Sequence, residues 1–162
     1  MLGLMARQKD FGMFVILGWE RKWQKYADTA DVSQDIFAQH HVNIMDMGAI
    51  SRKKDSIADT IEFDGAVLVD DHGNALHSGA IIEGLFPRAT ARKINPRGAA
   101  DLSVQFGFKQ KVHMRHVMAI TSSYFFANTT VFTISEETNE FHIFENGKIL
   151  YSTVPGEGWK WA

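Results

Sequence analysis

The sequence predicts an α/β fold, a single domain with a central mixed β-sheet flanked by helices. Three observations carry that expectation. At least five short apolar runs have the length and bounding turn signals of strands, with segments of helical spacing interspersed. No internal repeat and no linker rich in Pro, Gly or Ser divides the chain. With 162 residues, 45% of them hydrophobic and 12% aromatic, there is enough apolar mass for one core.

The elements follow in order. Phe11–Leu17 (FGMFVIL) is a short apolar run of strand length, and polar residues follow from Glu20 to Thr29. From Asp31, which can serve as an N-cap, Val32, Ile36, Phe37, Ile44, Met45 and Gly48 recur at helical spacing and predict a helix over 31–48. Ser51–Thr60 is a further helical segment. Ala66–Val69 and Ala75–Ile82 are strands joined through Asp71-His72-Gly73-Asn74, a hairpin signal. Arg115–Thr121 has helical character, and Val131–Ile134 and Phe141–Phe144 are two more strands. The second leads into Glu145-Asn146-Gly147-Lys148, where Asn-Gly supplies the positive φ of a tight turn, and Ile149–Thr153 returns. The tail 154–162 carries Trp159 and Trp161, too apolar for solvent and expected to pack on the domain or on a second chain.

Composition removes several functions. Seventeen Lys and Arg against nineteen Asp and Glu give a net charge of −2, so no nucleic acid polymer is an expected partner. The absence of cysteine excludes a disulfide scaffold, a thiolate zinc site and a cysteine nucleophile, and suits a cytoplasmic protein. No membrane segment is expected. The apolar stretch Phe11–Trp19 has nine residues where a span needs about 20, and the uncharged stretch Val117–Ser135 is broken by Thr121, Ser122, Ser123, Asn128, Thr129, Thr130 and Thr133.

Residues 84–112 stand apart. Arg88, Arg92, Lys93, Arg97, Lys109 and Lys111 face one acid, Asp101, and Pro87, Pro96 and three glycines predict that much of the segment is loop. It reads either as a place for phosphates or as a solvated basic loop.

Two motifs and their surroundings carry a resemblance. Asp64-Gly65-Ala66 leads straight into a strand, and Arg115-His116 opens a helix, followed by a strand that ends in Ser135-Glu136-Glu137-Thr138 and an Asn-Gly hairpin. This order of DGA, RH and SEET, each on its proper element, resembles the diadenylate cyclase domain, the module that makes cyclic di-AMP. The resemblance covers roughly 60–153 and, through the N-terminal strand and helix, implies a domain at 1–153. It implies a nucleotidyltransferase that condenses two ATP into cyclic di-AMP and pyrophosphate, each 3′-hydroxyl attacking the other nucleotide's α-phosphate. Such chemistry needs positioning and charge neutralisation more than a covalent nucleophile.

Roles follow by the same resemblance. Asp64 would be catalytic, set where a metal and a 3′-hydroxyl meet. Gly65 and Ala66 would leave room for ribose or base, and Ile82 would line the adenine pocket. Arg115 and His116, at a helix N-terminus that favours anions, would meet ATP phosphates together with Ser135 and Glu136. Asp64 and Glu137 would hold Mg or Mn. Two sites must face each other, which implies a homodimer or higher homo-oligomer. Each residue also has a plain structural reading: a turn Asp, a helix-end Arg, a partly buried hydrogen-bonding His, two solvated glutamates, a core Ile. His40, His41, His72, His77 and His142 are given no metal role.

The chain departs from the family at several positions. His113-Met114 stand in place of Gly-Thr, Val117 in place of a second Arg, and Phe63 where many members have His. The segment from DGA to RH is long, and its six cations either replace the missing Arg or mark a site rebuilt for another ligand. Three readings remain open: the cyclase, a nucleotide-binding sensor of the same fold that holds ATP or cyclic di-AMP, and a structural domain with no ligand.

Overall fold

Alternation decides how the sheet is built. In β1 (Met13–Leu17), Phe14 and Ile16 are buried while Met13, Val15 and Leu17 are half-buried, so one face of the strand looks into the main core. The computed structural model describes residues 12–29, 35–46, 65–98 and 100–157, and within them β1 is central. It pairs parallel with β4 (Ala66–Val69) and antiparallel with β6 (Thr130–Ile134). Beyond β4 lies β5 (Asn74–Ile82), whose other edge carries two short strands, β2 (Ala27–Asp28) and β3 (Val42–Asn43). Beyond β6 lie β7 (Phe141–Glu145) and β8 (Lys148–Ser152). Among the described residues this is one mixed sheet of eight strands with helices packed on it, the α/β domain that the sequence predicts.

Helices lie on both faces. The helix at Met114–Phe125 buries Val117, Ala119 and Ile120 in the main core with Phe14, Ile16, Leu68, Val131 and Phe144. On the other face α1 (Ile36–Gln39) brings Phe37 against Val42, Ala75 and the outward-turned Val67 of β4. Between β5 and β6 run α2 (Pro87–Ile94), α3 (Leu102–Phe106) and that long helix, α4. None of the described helices is long and apolar enough to cross a membrane.

One expectation is corrected. Residues 31–48 do not form one helix: among the described ones only Ile36–Gln39 is helical, and the chain is extended by His40. The cap is Asp35, whose Oδ1 accepts from Phe37 N at 3.0 Å and Ala38 N at 3.4 Å. Val42 and Asn43 then pair with β5, and Ile44 and Met45, counted towards the helical stripe, sit exposed in a turn. Strand pairing overrides the periodicity. The basic segment is loop over more than half of its described length, as its prolines and glycines predict, and holds two short helices. Pro87 sits in the first turn of α2, Asp101 caps α3 by accepting from Ser103 N and Val104 N, and Gly107 closes it at φ 95°. Ser51–Thr60, Asp31, Trp159 and Trp161 lie outside the described residues.

The two hairpins form where the sequence puts them. Asp70 Oδ1 accepts from His72 N at 2.9 Å and Asn74 N at 2.8 Å, closing the β4–β5 turn. Asn146 at φ 50° and Gly147 at φ 72° form the β7–β8 turn. Past β8 the chain stays with the domain as far as Glu157, whose side chain is fully buried.

Candidate functional site

Parallel β1 and β4 start at the same end of the sheet where antiparallel β5 and β6 finish, and the N-terminus of α4 points to that end. A cleft of about 740 Å³ opens there. Gly65 comes from the start of β4, Ala80, Ile81 and Ile82 from the end of β5, His113 to His116 from the start of α4, and Ser135, Glu136 and Glu137 from the end of β6. Seven of the residues that the motifs single out therefore share one cleft: Gly65, Ile82, Arg115, His116, Ser135, Glu136 and Glu137. Ala66 is fully buried one residue deeper and does not line it. Asp64 lies outside the described residues, next to Gly65.

Helix α4 has no side-chain cap and no acid in its first turn, so its N-terminal amides and dipole face the cleft without a competing carboxylate of their own helix. Arg115 is held by close packing: a Cβ on Gly12 would stand 1.8 Å from its Nη1. Its guanidinium lies 4.0 Å from Glu136. Glu136 and Glu137 project from a turn that Ser135 fastens, its hydroxyl accepting from Thr138 N at 3.2 Å. Glu137 pairs with His113 at 2.9 Å, the residue standing where the resembled family has glycine.

Gly65 has a role that the motif alone did not reveal. At φ +143° its added Cβ would sit 2.5 Å from the Gly79 carbonyl carbon, so β4 and β5 approach backbone to backbone beside the cleft. The glycine makes room first for its own sheet.

His116 forms the buried floor. It is 3% exposed, and neither ring nitrogen has a hydrogen-bond partner among the described residues. Burial, with the charges of His142, Arg115 and His113 adding to it, lowers its pKa to about 3, so the ring is a neutral imidazole at physiological pH. Its edge meets the His142 ring at 4.9 Å. His142 is itself fully buried, and its Nε2 lies 2.7 Å from Glu157 Oε2. Glu157 is held in turn by the Ser152 hydroxyl at 2.9 Å and the Lys109 amide at 2.7 Å. Sequence reading missed this layer under the cleft. Its one signal was parity: His142 shares a strand face with Phe144, a core residue.

None of the six cations of 84–112 lines the cleft, so they do not replace the cation lost at Val117, which is itself buried in the core. Among the described residues, acids and histidine also cluster at Asp70, Asp71 and His72. That group sits in the hairpin turn at the far end of β4 and β5, with Asp70 committed to the turn amides.

No protein-family model and no curated protein matches this chain. Solved structures do. One is the crystal structure of a hypothetical membrane spanning protein from Bacillus cereus, at TM-score 0.56 and 17% identity, over 93% of this chain and 58% of that one. Another is a double mutant of DacA, the diadenylate cyclase from Staphylococcus aureus, at TM-score 0.52 and 15% identity, over 93% of this chain and 79% of that one. The chain thus spans less than two thirds of the Bacillus structure. Identities this low establish fold alone: a diadenylate cyclase-like α/β domain with a cleft at one end of its sheet.

Proposed function

We propose that this chain binds ATP in the cleft and condenses two ATP into cyclic di-AMP and pyrophosphate. The observation that carries the reading is convergence. Residues picked from three separate motifs, up to 72 positions apart between Gly65 and Glu137, meet in one concavity.

The residues can share the work as follows. Arg115 and the α4 amides bind the phosphates, the guanidinium as a fork and the helix end as a partial positive charge. Ile81, Ile82 and Met114 give apolar surface to the base. His116 presents a neutral ring to the cleft from a dry floor and can donate or accept one hydrogen bond there. Asp64 would take the proton of the attacking 3′-hydroxyl. The carboxylate oxygens at the cleft are the hard donors that Mg or Mn accepts beside phosphates, so Glu137 with Asp64 would hold such an ion, which would neutralise phosphate charge. Two copies facing each other would complete the reaction, and a cytoplasmic setting with a domain at 1–153 belongs to the same reading.

A second reading has its own support. Val117 leaves the cleft one cation short, and His113 occupies Glu137. Those features favour a nucleotide sensor of the same fold without turnover. Incubation with ATP and Mg²⁺ or Mn²⁺, followed by chromatography for cyclic di-AMP, tests the first. ATP or cyclic di-AMP binding without product would support the second.

A further inference from the structure

The basic segment has its own concavity, apart from the cleft. A pocket of about 310 Å³ is lined by Arg88 and Arg92 of α2, by the turn through Pro96 and Gly98, and by Gln105 of α3. The two arginines are one helical turn apart and lie on the same side of α2. Among the described residues neither is in an ion pair with a carboxylate, and no acid lines the pocket. Asp101, the one acid in the segment, spends its carboxylate on the Ser103 and Val104 amides.

The walls are fastened. Asn95 Nδ2 donates to the Gln105 carbonyl at 3.4 Å, and Gln105 Nε2 donates back to the Asn95 carbonyl at 3.1 Å. The Gly98 amide donates to that same carbonyl at 3.0 Å. A Cβ on Gly98 would come within 2.5 Å of Gln105 Cγ, so the turn lies flush on α3 and fixes the far side of the pocket. Arg88 and Arg92, both exposed, therefore stand at the mouth of a pocket whose polar far wall is fixed. A dianion seated in the pocket would be within reach of two arginines and no carboxylate of the lining, and the guanidinium fork matches phosphoryl oxygens.

We propose that this pocket is a second anion site, selective for a phosphoryl group with about two negative charges: free phosphate, pyrophosphate or the terminal phosphate of a small ester. It stands independently of the reading of the cleft. The test titrates the full chain with inorganic phosphate at constant ionic strength, following backbone amides by NMR and heat by calorimetry. Phosphate should shift the Arg92, Gly98 and Gln105 amides. Arg88→Gln with Arg92→Gln should weaken binding about tenfold or more. Arg92→Lys, which keeps the charge and loses the fork, should fall between. Lys93→Gln, on the same helix but outside the pocket, should change little. Both pocket arginines are exposed, so the variants should keep the fold, as circular dichroism will verify. Repeating the titration with pyrophosphate and AMP distinguishes the sources by which binds tightest. Equal losses in Lys93→Gln and Arg92→Gln, no shift of the Arg92, Gly98 and Gln105 amides, or a response only to a long polyanion would overturn the site.

Discussion

Mild acid should destabilise this domain through His116. The ring is 3% exposed and has no hydrogen-bond partner among the described residues. It faces His142 from β7, Phe108 from the loop after α3, and Arg115 and His113 from its own helix, none of which supplies a negative charge. Its pKa falls from 6.5 to about 3 on folding. The sign follows directly. Between those values the unfolded chain holds a proton that the folded chain refuses, so the stability is present above 6.5 and is lost as pH falls. Each pH unit in that window is worth about 1.4 kcal/mol, so acidification to about pH 5 should cost about 2 kcal/mol. For a domain this size that is roughly 4–8 °C in Tm. Asp35 does not confuse the window. Burial alone would raise its pKa, but hydrogen bonds from His77, Ser78 and Phe37 outweigh that and hold it below 3.8, so its contribution is lost only in stronger acid. Urea denaturation at a series of pH values, for the parent chain and His116→Phe, measures the effect. The variant keeps an aromatic ring and should lose most of the slope. A flat parent profile, or the same slope in both proteins, would refute the argument.

Four more outcomes are expected. Asp64→Asn should cut product formation at least about a hundredfold while much nucleotide binding survives, measured by turnover and calorimetry side by side. Arg115→Ala should weaken ATP binding about tenfold or more, and Gly12→Ala should partly copy it, since the new methyl displaces the guanidinium while the fold stays intact by circular dichroism. Gly65→Ala, which forces a Cβ against the Gly79 backbone at positive φ, should cost about 2 kcal/mol or more by urea denaturation. Turnover per chain should fall on dilution below the dimer dissociation constant, and sedimentation with a non-hydrolysable ATP analogue and metal should register the pair.

Much of the site was readable because its parts are local. Gly65, Arg115 and Ser135 each sit at an element boundary, where turn and capping chemistry leaves a mark in a few adjacent residues. The basic segment is loop over more than half of its described length, as its prolines and glycines predict, and Pro87 and Gly107 mark the start of one and the stop of the other short helix within it. The helix over 31–48 does not form, for a tertiary reason. Its apolar spacing is real, but Val42 and Asn43 pair with Ala75 and Asn74 of β5, 33 and 31 positions away, which no local pattern encodes.

The sequence by itself determined the six longer strands, both tight turns and the helix around Arg115–Thr121, because alternation, Asn-Gly chemistry and helical spacing act within a few residues. Only the tertiary structure decided that the six cations lie away from the cleft, that Gly65 is pressed against Gly79, and that Glu157 reaches back to His142 beneath His116. Those facts depend on which distant segments share space. Burial and charge–charge energies are set by that neighbourhood, and sequence spacing carries no record of it.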